Sequence, residues 1–494
     1  MNSTNNTIAK NIFVLMGSQV TTWTLTLLLT VFLPRYLGAA GIGKLQFATS
    51  LWLLVGMMIS FGTGTLLTKE IARMPERTSE LFGTVVVVRI VLFGAGYALT
   101  IMLLRYLAYP PETITVVGII VAANLMEQFA TACQSSLQGL ERMSILSVAN
   151  IVGKSIDTVV GILLLLAGWG IYAIAGLLIV STTVRLLIQL RFLTKSYPLH
   201  LSFRVDTALR MLRSGLPYLM SSIFLVGYLQ MNVLIISFLL NEEAIGWYSA
   251  ADRLFNTLLF IPTIFMMAVF PVFSRLKVSD TAYLHRLMGK SFDSLLLLGV
   301  PIGLGMMIVA GPIVTFLFGQ DFVNSGPILG VMGVALIFMY LNVLLGQFMI
   351  STDRQNTWTV IMAVATVILI GLDITLIPWF HTRWGNGAIG AASAYGLTEF
   401  GMVVTGVLLL PKGTLTWTNG WTAARIFGAG FVMVGVAWWL SDQWIVVPIL
   451  AGAVVYSVLI LLMQVVPKED LQMIIAAVQN FFNRYRRPAP EAVG

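Results

Sequence analysis

Apolar residues run along this chain in blocks of about 20, the length that crosses the hydrocarbon layer of a bilayer as one helix. Scanned with a window of roughly 19 residues, the blocks fall near 10–33, 45–68, 82–104, 113–137, 144–167 and 171–193. After the more polar stretch "KSYPLHLSFRVDTALRMLRSG" they resume near 215–240, 247–273, 291–317, 327–350, 357–380, 387–410, 421–440 and 445–466. The pattern predicts an all-α integral membrane protein with fourteen transmembrane helices. The first block lacks a cationic leader and is long enough to span, so it reads as a retained helix rather than a cleaved signal.

Composition agrees with the pattern and changes little: 58% of residues are hydrophobic and 10% charged, outside the range of a water-soluble domain. The charge distribution adds orientation. An even number of spans puts both termini on one side, and the lysine and arginine bias says which. With the termini in the cytosol, inside connections hold 20 basic residues and outside connections 4, namely Arg35, Lys44, Arg105 and Arg383. The expected location is therefore the cell's inner (plasma) membrane, with both termini cytoplasmic. The net charge of +8 has the same origin, so its partners are anionic lipid headgroups and not nucleic acid. The single cysteine, Cys133, lies in an apolar block, and the three histidines have no ligand spacing. No disulfide, metal site or cofactor is expected.

The second half of the chain repeats the first. "LGAAGIGKLQFA" at 37–48 parallels "LNEEAIGWYSAA" at 240–251, "GLER" at 139–142 parallels "STDR" at 351–354, and "GWGIYAIAG" at 168–176 parallels "GNGAIGAAS" at 385–393. The order is kept, and the landmarks are separated by 102 and 29 residues in the first half and by 111 and 34 in the second. Six spans per half means that both halves start on the same side, so the relating axis runs along the membrane normal. The expected organisation is a six-helix lobe at 1–194, a cytosolic connection at 195–213, a second six-helix lobe at 214–411, two extra helices at 412–467 and a basic tail at 468–494.

With these segments in view, the chain resembles the polysaccharide or oligosaccharide flippases, O-antigen flippase-like members of the superfamily that also holds the MATE exporters and lipid II flippases. The resemblance spans nearly the whole chain and is carried by "LPRYLGAAGIGKLQFA", "SFGTGTLLTKEIAR", "LQGLERM" and "AIGWYSAADRLFN". It implies two lobes around a central cavity that alternate between inward-open and outward-open states and carry a lipid-linked oligosaccharide outward. Membrane lipids and the enzymes of polysaccharide assembly are the implied partners.

Such a transporter needs a polar path and no covalent chemistry, which makes intramembrane polar residues informative. Ser18, Thr22 and Thr26 form a stripe on the first helix. Asn124, Glu127, Gln128, Thr131, Gln134, Ser135 and Gln138 form a face of the fourth, and Ser147, Asn150, Lys154, Asp157 and Thr158 a face of the fifth. Glu127 and Lys154 are each about 13 residues from the turn between their helices, hence at similar depth, and the spacing predicts a Glu127–Lys154–Asp157 cluster. It would be either an ion-paired brace or part of the cavity. Arg253 lies well inside the eighth helix and suits a phosphate or pyrophosphate, which guanidinium binds bidentately. Arg89 is placed near the cytosolic side, where it could snorkel, and Arg35 at the external mouth. Asp373 and Glu399 are membrane carboxylates of the second lobe, candidates for proton uptake or for hydrogen bonds between helices. The alternative reading is a MATE-like organic-cation antiporter. An enzyme is not expected, because the outer connections are short and carry no catalytic constellation.

Overall fold

The computed structural model describes residues 2–197 and 203–465. Part of the expected inter-lobe connection and the basic tail lie outside these residues. Among the described residues there are no strands, and twelve helices are long and apolar enough to cross a membrane. The first of them, α1 (Asn2–Ser60), turns at Gly38, the one residue inside it with non-helical angles (φ 66, ψ 175), and therefore supplies two passes. A further apolar helix, α15 (Val446–Leu462), is 17 residues long. With it the fourteen passes are complete.

The remaining elements are α2 (Thr63–Arg73), α3 (Thr78–Tyr106), α4 (Pro111–Gly139), α5 (Met143–Leu166), α6 (Ile171–Ser196), α7 (Val205–Leu239), α8 (Glu242–Leu258), α9 (Phe260–Ser279), α10 (Thr281–Phe318), α11 (Ser325–Ser351), α12 (Gln355–Trp384), α13 (Ala388–Leu408) and α14 (Trp417–Trp439). Several bounds differ from the hydropathy windows. The loop expected at 34–44 is a single glycine, because φ of +66 is open to Gly and strained for other residues. The charged run after Gly62 is helical through Arg73, and α7 and α10 begin about ten residues before their apolar windows. Charged helical turns continue a span past the hydrocarbon edge, where hydropathy is blind to them.

The repeat is visible in the backbone. Glu141 and Asp353, in the matched turns "GLER" and "STDR", both adopt left-handed φ (57 and 59), and so do Gly168 and Gly385 (77 and 70) in the next matched pair. In the first half α6 packs along both α4 and α5, which barely touch one another; in the second half α13 packs in the same way along α11 and α12. α14 and α15 pack together and against α10. The helices α7 to α13 thus reproduce the arrangement of α1 to α6, with two helices added at the end.

The halves meet at both ends of the bundle. At the end that carries Gly38, a Cβ on Gly43 would lie 1.8 Å from the Glu242 carbonyl oxygen and one on Gly246 1.9 Å from that of Ala39, so this crossing admits only glycine. Lys44 sits beside it in ion pairs with Glu112 and, at 3.5 Å, with Glu242. Thr113 also donates to Glu242. At the opposite end the approach is close but less tight: a Cβ on Gly62 would lie 2.5 Å from the Gly215 carbonyl oxygen, and one on Gly215 2.5 Å from that of Phe61. The clear match between "AAGIGK" and "EEAIGW" is therefore a contact as well as a repeat.

Candidate functional site

Part of each polar stripe meets at one cavity of about 560 Å³ in the first half, lined by α1, α4, α5 and α6; Ser18, Asn124, Gln128, Thr131, Ser135, Gln138, Ser147 and Thr158 are not in its wall. Thr22 and Thr26 face it from α1, one turn apart, their hydroxyls donating to the carbonyls of Ser18 (3.0 Å) and Thr22 (2.7 Å). That back-bonding satisfies the hydroxyl donors. Trp23 lies between them. Glu127 and Gln134 enter from α4, Asn150, Lys154 and Asp157 from α5, and Ser181, Thr182 and Arg185 from α6.

The structure brings Glu127, Lys154 and Asp157 to one cavity but pairs them differently from the expected cluster. Glu127 forms its ion pair with Arg185, through Nη2 and Oε2. The reason is the packing order: α6 sits between α4 and α5 and presents Arg185 where a direct hairpin would have presented Lys154. Lys154 instead interacts with the charges of Asp157 and, across the lobes, Arg253. Asp157 lies against the Ser181 hydroxyl. The cavity thus holds two cations and two carboxylates. A lone charge at this depth costs about 2.5–3.5 kcal/mol on insertion scales, so charge balance is expected of a stable empty state. Arg185 was legible in outline: Ser181, Arg185 and Gln189 repeat at i+4 along α6, a stripe like those read on α4 and α5.

A second cavity, of about 630 Å³, lies between α1 and the α8–α9 break. It shares Trp23 and Thr26 with the first, so the two adjoin along that face of α1. Arg253, Asp252, Asn256 and Thr257 supply a polar wall on α8, Thr24, Thr26, Thr30 and Thr263 add hydroxyls, and Leu27, Leu259, Phe260 and Ile264 provide the apolar surface. Arg253 donates through Nη2 to Gln46 Oε1 at 3.4 Å, and its buried Nε has no partner.

The other candidates lie apart. Arg89 does not snorkel. It is 1% exposed and donates to the Gln128 carbonyl (2.7 Å), Thr131 Oγ1 (2.8 Å) and Thr63 Oγ1 (3.2 Å), tying the start of α2 to α3 and α4. Gln128 is buried and donates to the Gly56 carbonyl, away from the cavity. Arg35 is exposed near the Gly38 turn. In the second half Asp373 is fully buried with neither carboxylate oxygen partnered. Glu399 accepts from Tyr228 (2.5 Å) and Asn342 (2.7 Å), two residues no sequence pattern singled out. Among the described residues no group of three His, Cys, Asp or Glu side chains comes together to hold a metal ion.

The fold and site define a multi-pass membrane protein whose conspicuous chemistry is a charged cavity at membrane depth. The profile of the polysaccharide biosynthesis protein family matches residues 8–277, more than half of the chain, and the chain belongs to that family. It is 21% identical over 365 residues to a putative O-antigen transporter of Shigella dysenteriae, covering 73% of this chain and 88% of that one. It is 28% identical over 242 residues to a probable lipid II flippase, MurJ, of Vibrio cholerae, covering 45% and 44%. Among solved structures, a lipid II flippase MurJ in an inward closed conformation superposes with a TM-score of 0.70 at 15% identity, covering 91% of this chain and 98% of that one. An inward-facing MATE multidrug transporter superposes at 0.61 and 14% identity, covering 82% and 96%. These likenesses show the shared fold.

Proposed function

We propose that this protein is a flippase that moves a polyprenyl-pyrophosphate-linked oligosaccharide from the inner to the outer leaflet, by alternating access, for surface polysaccharide biosynthesis. The observation that carries this reading is the pair of adjoining cavities. One is polar and charged, suited to a phosphorylated sugar headgroup, and the other is largely apolar, suited to the start of an isoprenoid chain, with Trp23 and Thr26 at their common border and Arg253 in the wall of the second. The names of the relatives support the substrate class. In this reading the lobes at 1–194 and 214–411 rock about the two glycine crossings, joined by 195–213, with the helices of 412–467 outside the repeat. The Gly38 end faces outward and the more basic end the cytosol, in the inner membrane, following the lysine and arginine bias.

Lys154, Arg185 and Arg253 meet the phosphates, and Thr22 meets the sugar hydroxyls. Arg89 and Gln128 hold α4 in place. Asp373 is the candidate coupling carboxylate of the second lobe, and Glu399 is a brace. No bond is made or broken in the transported molecule, consistent with relatives that are transporters. Enzymes of polysaccharide assembly are the partners that would supply and take the substrate.

The reading is tested with purified protein in liposomes and a fluorescent polyprenyl-pyrophosphate sugar, its leaflet followed with an impermeant quencher. Protein-dependent flipping is expected. The MATE-like fold keeps one rival, organic-cation antiport; proton-driven uptake of a dye cation with no flipping would replace the flippase reading with it.

A further inference from the structure

The Arg185–Glu127 pair differs from the contacts of Arg89 in the same half. Arg89 is sealed among neutral oxygens. Arg185 is 23% and Glu127 34% exposed, and both line the cavity, so a ligand can reach the pair. Glu127 engages Arg185 at Nη2, while the buried Nε of the same guanidinium has no partner. A guanidinium presents Nε and Nη2 as a fork that fits two oxygens of a phosphate. One donor of that fork is occupied by Glu127, and the other is buried without a partner.

The balance of charge sets a second condition. Glu127 on α4, Lys154 and Asp157 on α5 and Arg185 on α6 sum to zero, Arg253 on α8 is the charged group that reaches Lys154 from the other half, and the α1 wall of Thr22, Trp23 and Thr26 has no titratable group. A phosphate that entered with every carboxylate still ionised would bring uncompensated negative charge into a site of low dielectric. Of the two carboxylates, Asp157 stays beside Lys154 and Ser181. Glu127 is the one whose partner the phosphate would take.

On the reading that the cavity receives an anionic headgroup, we propose that the Arg185–Glu127 pair is an exchangeable latch. A phosphate or pyrophosphate takes the Arg185 fork, and Glu127, displaced, takes up a proton. Headgroup binding and proton uptake are then one event, and each favours the other by linkage. The ligand's phosphate forms charge-assisted hydrogen bonds to Nε and Nη2, and the proton comes from water on the side to which the cavity is open. Release on the other side returns the proton and re-forms the pair. Arg185 binds; Glu127 times the binding.

The test measures binding of farnesyl pyrophosphate and of inorganic pyrophosphate to the full-length protein in nanodiscs, across pH 5.5–8, using the fluorescence change of Trp23 against a Trp23→Phe control. Because the probes themselves titrate, the quantity read is the difference between wild type and Glu127→Gln. For each unit fall in pH, the affinity of wild type should rise by up to about tenfold more than that of Glu127→Gln, the slope of one proton taken up. Glu127→Gln should bind more tightly than wild type at neutral pH with that excess slope gone. Arg185→Gln should bind weakly at every pH, and Arg185→Lys should recover only part, since it restores the charge without the fork. Thermal melting of each variant checks that it is folded, and should Glu127→Gln fail to fold, Glu127→Asp replaces it, expected to keep the slope with its midpoint moved. Tighter binding of the isoprenoid probe than of inorganic pyrophosphate identifies a lipid-borne headgroup; equal affinities support the latch with a free anion as its ligand and overturn the lipid reading. An unchanged slope in Glu127→Gln overturns the latch alone. Absence of binding by folded wild type at every pH overturns both.

Discussion

The same three-helix arrangement is used twice in this molecule, to different ends. In the first half α6 packs between α4 and α5 and leaves a polar cavity where Arg185 and Glu127 meet, both partly exposed. In the second half α13 packs between α11 and α12, and Glu399 is 1% exposed under hydrogen bonds from Tyr228 and Asn342. The apolar windows of α4, α5 and α6 are 50%, 28% and 22% buried, and those of α11, α12 and α13 are 72%, 33% and 50%, so each second-half helix is the better packed. The contrast teaches that duplication fixes where helices run, while side-chain size and partner decide whether the space between them is a site or a core. A carboxylate with an exposed cation can exchange it; one enclosed by a tyrosine and an asparagine is part of the packing.

The sharpest break is expected where the two halves are alike. Gly246→Ala places a methyl group within van der Waals overlap of the Ala39 carbonyl, so either about 3 kcal/mol or more of stability is lost or the crossing opens. Melting, together with cross-linking between Lys44→Cys and Glu242→Cys in a Cys133→Ala background, reports both. Unchanged melting with unchanged cross-linking would mean that the backbones do not touch there. Next comes the second-half brace. Glu399→Ala strands the Tyr228 hydroxyl and should cost about 2–4 kcal/mol. Glu399→Gln should cost within about 1 kcal/mol, because the Tyr228 hydroxyl can reverse and accept from the new NH₂ group while Asn342 keeps donating to the remaining oxygen and to the residue 399 carbonyl. A loss as large in Gln as in Ala would instead mark the charge itself as essential.

Arg89→Leu tests whether all first-half cations behave alike. It leaves two threonine hydroxyls and a carbonyl without their donor and should cost about 2–3 kcal/mol, with transport falling only as the folded fraction falls. Arg253→Ala has less to lose in stability, its one direct hydrogen bond being 3.4 Å long, and should cost under about 1 kcal/mol while raising the substrate concentration needed for half-maximal flipping. The smallest effect belongs to Lys277→Ala, whose ion pair with Asp353 is exposed; melting should move by less than about 1 kcal/mol.

Much of the fold was legible because a bilayer allows so few solutions: long apolar runs become helices, and their number and charge bias constrain the rest. The three short repeat matches were also reliable, since "GLER" and "STDR" share a left-handed turn that depends on local backbone geometry. The Gly38 turn was overestimated because hydropathy reads the polar residues around it as a loop and carries no information on φ. Pairing was the least legible part. Depth along a helix follows from counting residues, which put Glu127 and Lys154 on one cavity, but the helix that comes between them is a matter of tertiary packing. Arg185, Tyr228 and Asn342 became partners for that reason, although only Arg185 had a stripe of its own.

The most direct test of this division compares Arg185→Gln and Glu399→Gln side by side, both shown to be folded, for flipping of the fluorescent polyprenyl-pyrophosphate sugar in liposomes. The account predicts that Arg185→Gln loses at least about tenfold in initial rate while Glu399→Gln keeps most of the wild-type rate. Full activity in Arg185→Gln, or its loss in Glu399→Gln alone, would contradict the assignment of headgroup binding to the first-half cavity.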